Sequence, residues 1–188
     1  LPMPPSAAPT LTSSSATAIN FSWEPTTDIG GAALLSSYKI YIDGTLESTV
    51  DADVLSYSYT TGIVAGQSYK MTISAVSEIG EGSLSLPATF WAVATPSAPT
   101  FTVQDTSRDS CSIAWSAVTA PANSVINGYV LLFDDGKGGE FEVAYDGSTN
   151  PSLLEYTVEG LEKQLTYTIT GYAVNKAGNG VNATETTC

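Results

Sequence analysis

The sequence predicts an all-β chain built as two tandem β-sandwiches, and two observations carry that reading. One stretch occurs twice. Gly62-Ile63, Tyr69, Met71, Ala75-Val76, Gly80 and Gly82 return 98 positions later (160 − 62) as Gly160-Leu161, Tyr167, Ile169, Ala173-Val174, Gly178 and Gly180. Around it, short runs of alternating apolar and polar residues recur between Pro and Gly turns, and no convincing amphipathic helix interrupts them. The self-similarity divides the 188 residues into units 1–94 and 95–188.

Taken in order, Leu1–Pro9 is Pro-rich and reads as an extended lead-in, since Pro cannot donate to a central ladder. Ala18 to Trp23 alternates, with Ile19, Phe21 and Trp23 to one side and Asn20 and Ser22 to the other. Pro25 and Gly30-Gly31 make a loop. Tyr38, Ile40 and Ile42 share one face of the next strand, and Asp43-Gly44 is a tight-turn signal. Weaker strands are expected near Glu47–Val50 and Ser56–Tyr59. The repeated stretch comes next, and Ser83 to Val93 forms the last strand, interrupted by Pro87.

The second unit has the same plan. Thr95-Pro96-Ser97-Ala98-Pro99 repeats the lead-in; Cys111, Ile113 and Trp115 match Ile19, Phe21 and Trp23; Tyr129, Leu131 and Phe133 match the Tyr38 strand. The gap between the paired tyrosines is 38 positions (167 − 129) against 31 (69 − 38) in the first unit. An added hairpin, from Asp134-Asp135-Gly136 through Phe141–Tyr145 to Asp146-Gly147, accounts for the difference.

These features together resemble the fibronectin type III family. They are the N-terminal prolines, Trp23 and Trp115, Tyr38 and Tyr129, the pairs Ile63/Tyr69 and Leu161/Tyr167, and the Gly-x-Gly before the last strand. The resemblance covers nearly the whole chain, with Ile63 standing where the family prefers Leu. It implies two seven-stranded sandwiches with Trp23, Tyr38, Tyr69, Trp115, Tyr129 and Tyr167 in their cores. It also implies that Tyr69 and Tyr167 turn inward, each hydroxyl bonding nearby backbone, because a buried ring needs a partner for its hydroxyl. Within that topology Cys111 and Cys188, the equivalents of Ile19 and Phe90, fall at one pole of the second sandwich. A disulfide between them is expected, and with it an oxidising, extracellular setting. The alternatives are two buried thiols, or Cys188 bonding a neighbouring chain.

Composition narrows the function classes. The chain carries 19 Asp and Glu against 6 Lys and Arg, a net charge of −13. Such a surface repels phosphate backbones and anionic headgroups, so neither nucleic acid nor a membrane surface is an expected partner. No apolar run approaches the ~20 residues of a membrane-spanning helix. The absence of His removes the usual general base, the Ser-His and Cys-His nucleophile pairs and the commonest metal ligand. No enzyme activity and no cofactor is expected. Because the chain opens Leu1-Pro2 rather than with Met, the sequence reads as a mature product or an excised piece.

Several residues stand out as sites. Asn20-Phe21-Ser22 and Asn182-Ala183-Thr184 are N-glycosylation triplets. Asp134-Asp135-Gly136, Asp51-Ala52-Asp53 and Asp28 could offer oxygens to Ca²⁺, although none matches a known calcium loop, and turns and solvated edges explain them without a metal. Val130, Leu132, Tyr172 and Val174 share an outward face where the first unit carries Lys39, Tyr41, Lys70, Thr72 and Ser74. An apolar face of this kind marks a docking surface, unless the added hairpin folds over it. Trp91 is placed to wedge against the next domain. A Pro-rich start and a Thr-rich end fray unless held, so Leu1, Pro2, Met3, Pro4 and Pro5 are expected to meet a preceding copy.

The function expected on these grounds is an extracellular structural repeat, joined head to tail in a surface array or filament. The alternative is an adhesion or spacer module of a larger secreted or cell-surface protein, although no Arg-Gly-Asp triplet is present. The expected partners are further copies or neighbouring domains of the same polypeptide, with glycans on the outside where the triplets are used.

Overall fold

The structure, a computed structural model, describes residues 1–32 and 34–188. The chain divides into two units, Leu1–Ala94 and Thr95–Cys188, and among the described residues all regular structure is β-strand.

In the first unit the strands are β1 (Thr10–Ser14), β2 (Ile19–Ser22), β3 (Leu35–Ile42), β4 (Thr45–Asp51), β5 (Ser56–Tyr59), β6 (Ser68–Ser77), β7 (Gly80–Leu84) and β8 (Ala88–Trp91). One sheet runs β1-β2-β5. The other runs β4-β3-β6-β7, with β8 also paired to β6, and every pairing is antiparallel. β7 and β8 are one strand broken around Pro87, whose missing N–H cannot continue the ladder. Seven strands therefore make the sandwich.

The second unit repeats this order. Its strands are β9 (Phe101–Thr106), β10 (Ser110–Trp115), β11 (Gly128–Phe133), β12 (Glu142–Gly147), β13 (Glu155–Glu159), β14 (Thr168–Asn175), β15 (Gly178–Asn179) and β16 (Thr186–Thr187). The sheets run β13-β10-β9 and β12-β11-β14-β15, with β16 also on β14.

Alternation puts the predicted residues inside. Ile19, Phe21, Tyr38 and Ile40 are fully buried in the first core, and Cys111, Ile113, Tyr129 and Leu131 lie in the second. Trp23 meets Tyr38 edge-on at 5.8 Å between ring centroids, and Trp115 meets Tyr129 at 5.9 Å. Each tyrosine hydroxyl also has a partner. Tyr69 accepts from the Val64 N–H at 2.6 Å and Tyr167 from the Glu162 N–H at 2.8 Å, in each case five residues upstream. A second pair of tyrosines works in the same way. The Tyr38 and Tyr129 hydroxyls accept from the backbone N–H of Thr26 and Val118, both at 2.9 Å, and so brace the loop leading into their own strand. Burial of the ring, partial at Tyr69, and satisfaction of its one polar atom are thus met together four times.

Two expectations need correction. The first strand of each unit, β1 and β9, lies hidden in the sequence behind its Pro-rich lead-in. The hairpin read as an addition to the second unit is not an addition, because β12 holds the place in its sheet that β4 holds in the first. The extra length lies instead in the connections: eight residues (134–141) separate β11 from β12 where Asp43-Gly44 suffices between β3 and β4. Asp43 and Gly44 sit at φ 51° and 82°, the left-handed pair that a two-residue turn requires.

Candidate interface surfaces

The lead-in, expected to reach a neighbouring copy, is built into its own sandwich. Pro2 and Pro5 are buried. The Met3 N–H donates to the Asp28 carbonyl at 2.8 Å, and the Met3 carbonyl accepts from Thr26 Oγ1 at 2.7 Å. Gly82 explains how the chain passes so close, since a Cβ there would overlap the Pro2 carbonyl. The second unit repeats the arrangement. Pro96 and Pro99 are buried, the Val181 N–H donates to the Pro96 carbonyl at 3.1 Å, and a Cβ on Gly180 would lie 2.6 Å from that oxygen. The Gly-x-Gly is therefore a docking rail for the unit's own lead-in. What remains outward are Leu1 and Met3, 63% and 56% exposed, and the half-buried Pro4.

The other end is closed as firmly. Cys111 and Cys188 form a disulfide with Cα atoms 6.4 Å apart. Cys188 exchanges two backbone hydrogen bonds with Tyr167, at 2.9 and 3.0 Å. Phe90 holds the equivalent place opposite Tyr69.

The outer faces of the two larger sheets differ. In the first unit Glu81, the central residue of its Gly-x-Gly, gathers three donors: Lys39 Nζ and Ser74 Oγ at 2.6 Å each, and the Tyr41 hydroxyl. Lys39 first, then Ser74 and Tyr41, hold the Glu81 carboxyl at about 2, below its ordinary 4.5. The same positions in the second unit are Val130, Leu132, Tyr172 and Asn179. Val130 is buried, flanked across the strands by Tyr172 and Asp146; Leu132, Tyr172 and Val174 are half-buried. β12, the strand of the hairpin expected to cover this face, lies beside β11 in the same sheet.

Glu81 leads to a pH prediction. Its carboxyl is more acidic folded than unfolded, so the stabilisation it gives is complete above pH 4.5 and disappears as pH falls toward 2. Glu81→Gln is expected to destabilise the first unit by about 1 kcal/mol at neutral pH, the scale of a solvent-screened pair. Calorimetry should show the two forms converging near pH 2. A pH-independent difference would mean that the ion pair is not the cause.

The acidic turns are occupied by backbone. Asp43 Oδ1 accepts from the Lys70 N–H, and Asp134 Oδ1 from the Thr168 N–H, both at 2.8 Å, so one carboxylate in each unit latches its turn to β6 or β14. Asp135 accepts from Gly139 and Lys137, and these bonds, that of Gly139 foremost, lower its pKa. Asp28 caps Gly30 at 2.8 Å. Asp51 accepts the Val54 N–H through its carbonyl, with Asp53 in the intervening turn. Among the described residues no three acidic or Cys side chains gather as a metal site.

The glycosylation triplets sit differently. Asn20 is half-buried on β2, its Nδ2 donating to Ser13 Oγ at 2.8 Å; Asn182 is exposed. Trp91 is half-buried at the end of β8, opposite Ser68.

Residues 3–91 and residues 95–188 each match the fibronectin type III domain. The chain belongs to the fibronectin type III family. Exoglucanase B of Cellulomonas fimi is 31% identical over 178 residues, covering 91% of this chain and 16% of that protein. The E3 ubiquitin-protein ligase TRIM9 of Drosophila melanogaster is 38% identical over 89 residues, 46% of this chain and 11% of that protein. The fibronectin pair thus spans less than a fifth of either curated relative. Among solved structures, the FN1–FN3 domains of chicken CNTN1 align with the whole chain and 68% of theirs at a TM-score of 0.51. At 20% identity that likeness speaks for the fold alone.

Proposed function

We propose that this fibronectin pair is a non-catalytic, extracellular spacing module of a larger protein. The observation that carries the reading is that each sandwich is complete in itself. Each lead-in docks on its own Gly-x-Gly rail, and the last strand of the second unit is bonded to its own core by Cys111–Cys188. Domains closed in this way can be strung along a polypeptide without depending on their neighbours for stability. The disulfide supports an oxidising compartment. The similarity of 91% of this chain to 16% of Exoglucanase B supports membership in a longer polypeptide.

A second reading, a head-to-tail link in a surface array, is favoured by Leu1 and Met3, apolar side chains that project from the docked lead-in. Light scattering from micromolar to near-millimolar concentration separates the two. A spacer keeps its monomer mass throughout. Mass that climbs with concentration, and stays low in a variant with Leu1→Ser and Met3→Ser, would replace the spacer with the link.

A further inference from the structure

Asn182 lies between β15 and β16, where the segment running along β14 makes an irregular step. The Gly180 N–H donates to the Ala173 carbonyl at 2.8 Å, and the Ala183 N–H to the Gly171 carbonyl at 2.7 Å. The strand takes three residues where its partner takes two, which is a β-bulge. The first unit makes the same step, with Leu84 opposite Ser74 and Glu81 opposite Val76. A bulge re-aims the side chains around it. Ala183 is turned into the core, while Val181, Asn182 and Thr184 are exposed. The corresponding residue in the first unit is Leu84, also exposed. The bulge therefore leaves Asn182 and Thr184 exposed on irregular backbone, on either side of the buried Ala183.

Asn20 has the opposite surroundings. It sits inside β2, the middle strand of its sheet, paired on one side with Ser13 and on the other with Ser58. Its Nδ2, the atom that would carry the sugar, already donates to Ser13 Oγ.

We propose that Asn182 is an N-linked glycosylation site and that Asn20 stays bare. The proposal rests on the extracellular reading above. The donor it requires is an oligosaccharide on a polyprenyl diphosphate. Asn182 Nδ2 attacks the anomeric carbon; the C–N bond forms as the C–O bond to diphosphate breaks, diphosphate departs with the electron pair, and the amide nitrogen loses one proton. A bulky hydrophilic chain at this point would stand beside exposed Val181 on the outer strand of the larger sheet. There it would hinder edge-on pairing with another chain.

The test is secretion of the full chain from an insect-cell line, with intact mass measured before and after peptide-N-glycosidase. Recovery from the medium with no free thiol checks the extracellular reading separately from the glycan. The expected result is a single glycan mass that the glycosidase removes, converting Asn182 to Asp in the peptide map. Asn182→Gln and Thr184→Ala should each abolish the added mass, while Asn20→Gln leaves it unchanged. A secreted, disulfide-bonded chain at bare polypeptide mass would overturn the proposal, as would a glycan lost in Asn20→Gln.

Discussion

Removing the Cys111–Cys188 bridge, by Cys111→Ala with Cys188→Ala, is expected to lower the melting temperature of the second unit by roughly 20 °C and leave that of the first in place. The bridge joins residues 77 positions apart. On the chain-entropy scale a loop of that length contributes about 4 kcal/mol by restricting the unfolded chain. The native side points the same way. Cys188 exchanges two hydrogen bonds with Tyr167 beside β16, so the bond sits where the last strand meets β14. The equivalent place in the first unit is held by Phe90, opposite Tyr69. The first unit secures its last strand there by apolar packing, with Phe90 6.1 Å from Phe21 between ring centroids. The second secures its own covalently. Calorimetry of the two-unit chain reads both transitions in one scan, and a second transition unmoved by the double substitution would show that the strand holds without its bond.

The same trade between chemistry and packing explains what the sequence does and does not disclose. Alternation reveals Ile19-Phe21-Trp23 and Cys111-Ile113-Trp115, because a strand with one buried face writes its period into residue type. The duplication reveals the tyrosines, and with them the sheet that they staple. β1 and β9 are not legible, since Thr10–Ser14 and Phe101–Thr106 are largely exposed edge strands whose polar residues carry little alternation. The latch from Asp43 to Lys70 and from Asp134 to Thr168 escapes notice for another reason. An Asp before Gly already has an explanation as a turn former, and only the fold reveals that the carboxylate also reaches a strand 27 or 34 residues away. The contact of the lead-in with its own unit escapes the sequence because a Pro-rich segment looks the same whether it docks on its own domain or on another. The deciding residue is Gly82, whose missing side chain is a fact about space rather than pattern.

That space supplies the second large effect. Gly82→Ala is expected to cost the first unit roughly 2–3 kcal/mol, the scale of a forced overlap in a packed region, and to lower its melting temperature by about 10–20 °C. The added Cβ would overlap the Pro2 carbonyl, and on the other side it meets the Ala75 carbonyl at 3.5 Å, so backbone confronts it from both directions. The strand cannot withdraw, being hydrogen-bonded to β6. The lead-in must yield instead, and with it go the burial of Pro2 and the bonds from Met3 to Asp28 and Thr26. A cycle with deletion of residues 1–5 makes the cause visible. Deletion should destabilise the native protein but do little more to Gly82→Ala, whose lead-in has already left, so the two changes fall well short of additive. If the lead-in belonged to a neighbouring copy, Gly82→Ala would leave the monomer's melting unchanged and the two effects would simply add.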